Sequence, residues 1–148
     1  MYLSYMKLQI IGDQTGAINF QDGFIADSKT TEDALRSHFS LPESNSFSGW
    51  KYYTLQNIKI GDLYFIITCN FLEKELKTIS MIFGEDEIIP SDKTSSEIPG
   101  ANEIKNLDKY EDWLTGQLGE NRNFDWGKVE AMFHKRSGGA MVYMEYNG

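Results

Sequence analysis

The stretch DKYEDWLTGQLG (residues 108–119), a short polar connection, and then WGKVEAMF (126–133), HKRSGG (134–139) and AMVYMEY (140–146) decide the fold. Leu107, Tyr110, Leu114 and Leu118 recur at helical spacing with Trp113 beside them, and Gly119 stands where a left-handed cap ends a helix. Asn106 is the expected N-cap. The two segments after it alternate as strands. Pairing positions that sum to 273 sets Val129 against Met144, Ala131 against Val142 and Phe133 against Ala140 on one face. The same register opposes Lys128 and Glu145 on the other, an ion pair across the strands. It leaves Lys135, Arg136, Ser137 and Gly138 as the connecting loop next to Gly139. Helix followed by hairpin is therefore the frame to which the rest must attach.

Working back along the chain, Lys51 to Ile60 and Leu63 to Phe71 read as strands joined by the two-residue turn Gly61-Asp62. Leu63, Phe65, Ile67, Cys69 and Phe71 alternate with Tyr64, Thr68 and Asn70. After the charged turn Glu73-Lys74-Glu75, Ile79, Met81 and Phe83 share a face with Thr78 and Ser80 opposite, which completes a meander. Nearer the N-terminus, Leu8 to Ile11 and Ala17 to Phe20 are short strand candidates, the second ending at Asp22-Gly23. Thr30 or Thr31 caps a helix through about Phe39, with Ala34, Leu35, His38 and Phe39 along one stripe and Pro42 stopping it. Residues 84–105, rich in acids, Ser and Thr with two prolines, read as the longest irregular stretch. The expected class is α+β: one domain over residues 1–148, a single antiparallel sheet of about five or six strands, and two helices packed on one face.

Composition agrees with a packed core, since 41% hydrophobic and 14% aromatic residues are too many for a disordered chain. The one cysteine, Cys69, forbids an internal disulfide. The N-terminal MYLSYMKLQIIGDQ has Lys7 as its only cation and no long apolar run, and no segment is apolar enough to span a bilayer. A soluble cytoplasmic protein without a membrane partner is the expectation.

The net charge of -8 is unevenly placed. Between Glu85 and Asp125 eleven acids face four bases, whereas the other 107 residues are almost balanced. Such a segment repels phosphate backbones, which disfavours nucleic acid, and it attracts basic proteins. It also serves simple solubility.

Reactive groups are sparse. His38 and His134 have no His or Cys at ligand spacing, so a zinc site of usual form is not implied, and neither is a cofactor. The Asp-x-Asp-x-Asp-Gly pattern of a calcium loop is absent, which leaves Glu85-Asp86-Glu87 as a solvated strand end or, less favoured, a weak calcium site. Cys69 lies on an apolar strand face, where thiols are inert. No serine sits in a nucleophile elbow, and neither Gly12-Asp-Gln-Thr-Gly16 nor Ser137-Gly-Gly139 has the ending of a phosphate loop. Any two of the twenty-two acids could converge as a hydrolase pair, so an enzyme is the least favoured reading.

Trp113-Leu114 with Gln117-Leu118-Gly119, then Trp126-Gly127-Lys128-Val129, Gly138-Gly139 and a last strand ending in Tyr, resembles a set of small uncharacterised bacterial proteins. These carry a W-L-x-x-Q-L-G helix end and a W-G-x-[IV] strand. The likeness runs over about residues 50–146, with His134-Lys135-Arg136 standing where the set has an Asp-Pro-Lys turn. It implies no activity and no site residues.

The reading that follows is a non-catalytic protein docking a basic partner through the acidic segment 85–125, an immunity-type toxin neutraliser being one form. Candidate contacts are Glu85, Asp86, Glu87, Asp108, Glu111, Asp112, Trp113, Asp125 and Trp126. The alternative is a small-molecule binding domain using an aromatic sheet face, with a hydrolase-type enzyme behind it.

Overall fold

The computed structural model describes residues 8–88, 100–134 and 139–147. The chain is α+β. Its strands are β1 (Ile18–Asn19), β2 (Ile25–Ala26), β3 (Trp50–Ile60), β4 (Leu63–Leu72), β5 (Glu75–Gly84), β6 (Asn123–Phe124), β7 (Gly127–His134) and β8 (Gly139–Tyr146), and its helices are α1 (Glu32–Phe39) and α2 (Gly100–Leu118). Six strands form one antiparallel sheet in the order β3-β4-β5-β8-β7-β6, while β1 and β2 pair separately. That second, two-stranded sheet corrects the expectation of a single sheet.

The C-terminal hairpin pairs in the register its side chains demand: Val129 with Met144, Ala131 with Val142, Phe133 with Ala140, and Lys128 with Glu145. The loop 135–138 and the His134 side chain lie outside the described residues. Met144 and Val142 then pair with Ile79 and Met81, which docks the hairpin onto the free edge of the meander. The result is a row running Tyr53, Cys69, Ile79, Met144, Val129 across five strands, each at most 4% exposed. Burying a side chain of this size contributes roughly 2 kcal/mol. A one-residue slip would turn Lys128 and Glu145 inward instead. On the opposite face the neighbouring row is Thr54, Thr68, Ser80, Tyr143 and Glu130, half-buried or exposed.

Helix α2 covers the apolar face, with Tyr110 and Leu114 buried and rings packed from Tyr110 and Trp113 onto Phe83 at 4.7 and 4.8 Å. Gly119, at φ +77°, ends it by donating to Thr115 O. The helix begins at Gly100, six residues before the expected cap at Asn106, so the irregular stretch is shorter than 84–105. In sequence Ile104 extends the apolar spacing one step back from Leu107, and Pro99 marks the break. Residues 89–99 of that stretch lie outside the described residues.

At α1 the N-cap is Thr31, whose hydroxyl accepts from Ala34 N, while Thr30 accepts from Asp27 N in the preceding turn. Leu35 is buried and Phe39 half-buried, but Ala34 and His38 face solvent, so the expected four-residue stripe is narrower. Leu8 to Ile11 forms no strand beyond one bridge, Ile11 to Ile18. Instead Ile10, Ile11, Ile18, Phe20 and Ala26 form an apolar layer. This layer links the helices, since Phe20 packs on Phe39 of α1 and Ile10 is held by Gln117 of α2.

Candidate functional site

Where α2 passes the β3–β4 turn, a cleft of about 490 Å³ remains open. Leu8 and Ile10 form one wall, Ile60, Gly61, Asp62 and Leu63 the second, and Asp112, Trp113, Gly116 and Gln117 of α2 the third. The four helix residues follow from periodicity, as positions i, i+1, i+4 and i+5 share a face. Gly61 serves twice. It supplies the φ of +63° that the turn requires, and a Cβ there would lie 2.5 Å from Leu8 Cδ1.

Gln117 holds the first wall in place. Its Oε1 accepts from Ile10 N at 2.7 Å and Ile11 N at 3.0 Å, and its Nε2 donates to Leu8 O at 2.7 Å. Gln9 Nε2 returns a bond to Gln117 O at 2.8 Å. A buried side-chain amide thus stands in for a neighbouring strand, satisfying backbone groups that the N-terminal segment would otherwise leave unpaired. Trp113 is half-buried, packed against Phe65 and Phe83, and gives the cleft its aromatic side. Asp62 and Asp112 are exposed at its rim, and neither has a cation within ion-pairing distance among the described residues. The ammonium of Lys109, one turn before Trp113, lies over the Phe83 ring.

The nine candidate contacts are not brought together. Asp112 and Trp113 line the cleft. Glu85, Asp86 and Glu87 follow β5 at the same end of the sheet, because Gly84 pairs with Tyr64 and Ile88 exchanges two 2.7 Å hydrogen bonds with Asn57. Asp108 and Glu111 are exposed on α2, the latter 4.0 Å from Arg122. Asp125 and Trp126 form the β6–β7 turn at the opposite end, beyond the level of Thr78. Six residues separate Thr78 from Gly84 along β5, about 20 Å of strand. All eight acids of the segment 85–125 with described side chains are exposed. The other cleft residues, among them Leu8, Ile10, Asp62 and Gln117, are ones that sequence reasoning missed. Gln117 did leave a signal: a polar residue three positions after Leu114 on the inward stripe needs a buried partner.

A second cleft, of about 370 Å³, is lined by Thr31, Glu32, Asp33, Arg36, Glu43, Lys51 and Lys74. Buried Glu32 accepts from the Tyr53 hydroxyl, and Lys51 Nζ lies 3.2 Å from Glu32 and 2.6 Å from Glu43. Burial, then the hydrogen bond to Glu32, pushes the Tyr53 hydroxyl above its ordinary range. The Lys51 hydrogen bond holds the Glu43 carboxyl below the usual value. Here the charges largely answer one another, which suits a bracket between α1 and β3.

Other reactive groups stand apart. His38 lies 2.9 Å from Asp22, whose carboxyl it lowers, and stacks on Phe24 at 4.4 Å, outside both clefts. Burial pushes the Cys69 thiol up to about 12. Among the described residues no three His, Cys, Asp or Glu side chains are placed to hold a metal ion, and no helix is long and apolar enough to cross a membrane. No family model, curated protein or solved structure matches the chain.

Proposed function

We propose that the chain is a non-catalytic binding protein that docks a basic protein partner at the cleft end of the sheet. Neutralising a basic toxin in the manner of an immunity protein is one concrete form of this. The observation that carries the reading is the grouping of Asp62 and Asp112, which have no ion-pair partner among the described residues, with half-buried Trp113 and exposed Glu85, Asp86 and Glu87 at one end of the molecule. An aromatic flanked by unneutralised acids supplies both an anchor and long-range attraction for cations. The opposite end contributes less, because Trp126 is committed to packing.

The test is binding of an oligolysine and an oligoarginine peptide at about 50 and 300 mM salt, where screening of exposed charges differs severalfold. Affinity is expected to fall with salt, and to fall again in a variant carrying E85Q, D86N, E87Q and D112N. Absence of binding at low salt, or binding indifferent to both changes, would sink the proposal. A second reading, a small-molecule site, is favoured by the cleft itself, whose 490 Å³ and mixed lining suit a ligand. Thermal stabilisation by an uncharged compound that these acid substitutions leave intact would favour it over the first.

A further inference from the structure

We infer that the cleft between α2 and the β3–β4 turn receives a single arginine side chain presented by the partner. This inference rests on the docking reading above and narrows it to one anchor. Apolar Leu8, Ile10, Ile60 and Leu63 line the walls, and they suit an aliphatic stem rather than a hydrated polar chain. Two carboxylates border the same space from different elements, Asp62 on the turn and Asp112 on the helix. A cationic head is the complement to such a pair, and an anion would be repelled by both.

Arginine fits better than lysine. The guanidinium is planar, weakly hydrated and able to donate in several directions, so it can address two separated carboxylates at once. Its face can also lie on an indole, and Trp113 is the aromatic lining of the cleft. An ammonium is a compact charge that pays a larger dehydration cost against apolar walls. Among the described residues, the ammonium groups of Lys109 and Lys59 lie over rings, those of Phe83 and Tyr64 respectively. Gln117 commits its carbonyl oxygen and one amide hydrogen to the backbone of residues 8–11, so it contributes rigidity and leaves charge recognition to the two aspartates.

The probe is N-acetyl-arginine N-methylamide, with the citrulline analogue as an uncharged match, titrated into the isotopically labelled protein. Expected are amide shifts at Gly61 and Gly116 and an indole shift at Trp113, about tenfold weaker or absent with citrulline. D62N with D112N should abolish the arginine response while the melting temperature stays near that of the parent, since both side chains are exposed. An oligoarginine peptide is measured alongside. Should the peptide bind while the arginine amide leaves the cleft signals unmoved, or moves them no more than citrulline does, the arginine anchor is overturned and docking stands. Failure of both probes removes the docking reading as well.

Discussion

Asp112-Trp113 and Asp125-Trp126 are the same dipeptide in two places, and both indoles end half-buried. Their surroundings differ completely. Trp126 donates its indole N–H to Asp13 O at 2.9 Å, stacks on Phe124 at 5.1 Å, and leans on Tyr146. Its ring covers Gly16 so closely that a Cβ there would come within 2.4 Å. Trp113 packs on Phe65 and Phe83 but has open cleft on another side, and its indole N–H has no hydrogen-bond partner among the described residues. One tryptophan pins the N-terminal segment to the end of the sheet. The other borders a space that the same segment leaves open. An acid beside an aromatic is therefore not a docking signal by itself; what counts is whether the fold has used up every face of the ring.

The largest effect that would sharpen this contrast is expected at high pH. Burial pushes the Tyr146 hydroxyl, bonded to Gly16 O at the pinned end, far above its ordinary value. The neutral form is favoured in the fold, so its stabilisation is complete below the unfolded value near 10 and is lost as pH rises beyond it. The loss is roughly 1.4 kcal/mol per pH unit above about 10. Phenolate absorbance should rise together with loss of near-ultraviolet dichroism, and Tyr146→Phe should flatten that slope. Next in size is Gly16→Ala, which meets the Trp126 ring and requires a non-glycine at φ +71°. A cost of about 3 kcal/mol in urea unfolding is expected from strain and overpacking together.

At the cleft end, Gln117→Ala leaves the Ile10 and Ile11 N–H groups without their acceptor, a loss of about 2 kcal/mol. Faster hydrogen exchange at those two amides would confirm the route. The paired substitutions Trp126→Phe and Trp113→Phe compare the two ends directly. The first removes a hydrogen bond and part of a stack, costing about 1.5 kcal/mol; the second keeps most of its packing and costs about 0.5 kcal/mol. Equal losses would break the distinction. Smallest is the Lys128–Glu145 pair, 3.7 Å apart with both side chains about half exposed. A double-mutant cycle should return under about 0.5 kcal/mol.

The meander and the C-terminal hairpin were legible because period-two alternation and opposite charges agree on one register. Val129, Ala131 and Phe133 could sit against Met144, Val142 and Ala140 only if Lys128 met Glu145. Helix α2 starts before the expected cap at Asn106 because capping preference is weaker than the apolar spacing that continues through that residue. The N-terminal segment has the apolar composition of a strand, yet it pairs mainly with a glutamine side chain. Side chains that replace a strand partner leave no periodic signal. The cleft was illegible for the same reason, since Leu8, Asp62 and Asp112 are brought together although each lies fifty or more residues from the next in sequence.

Local pattern alone determined the α+β class, the hairpin register, the Gly61-Asp62 turn and the Gly119 helix end, because each depends on neighbours within a few residues or on one strand pair. It also determined that the negative charge collects in residues 85–125. Only the tertiary structure decided where that charge stands. Antiparallel strands carry Glu85, Asp86 and Glu87 to the Asp62 end and Asp125 to the other, so a single acidic run in sequence becomes two separate surfaces. It likewise decided which tryptophan borders open space, since that depends on the Gln117 and Gly16 contacts that hold residues 8–16 across the fold. A side chain's free surface is what its distant neighbours leave uncovered, and those neighbours are chosen by packing.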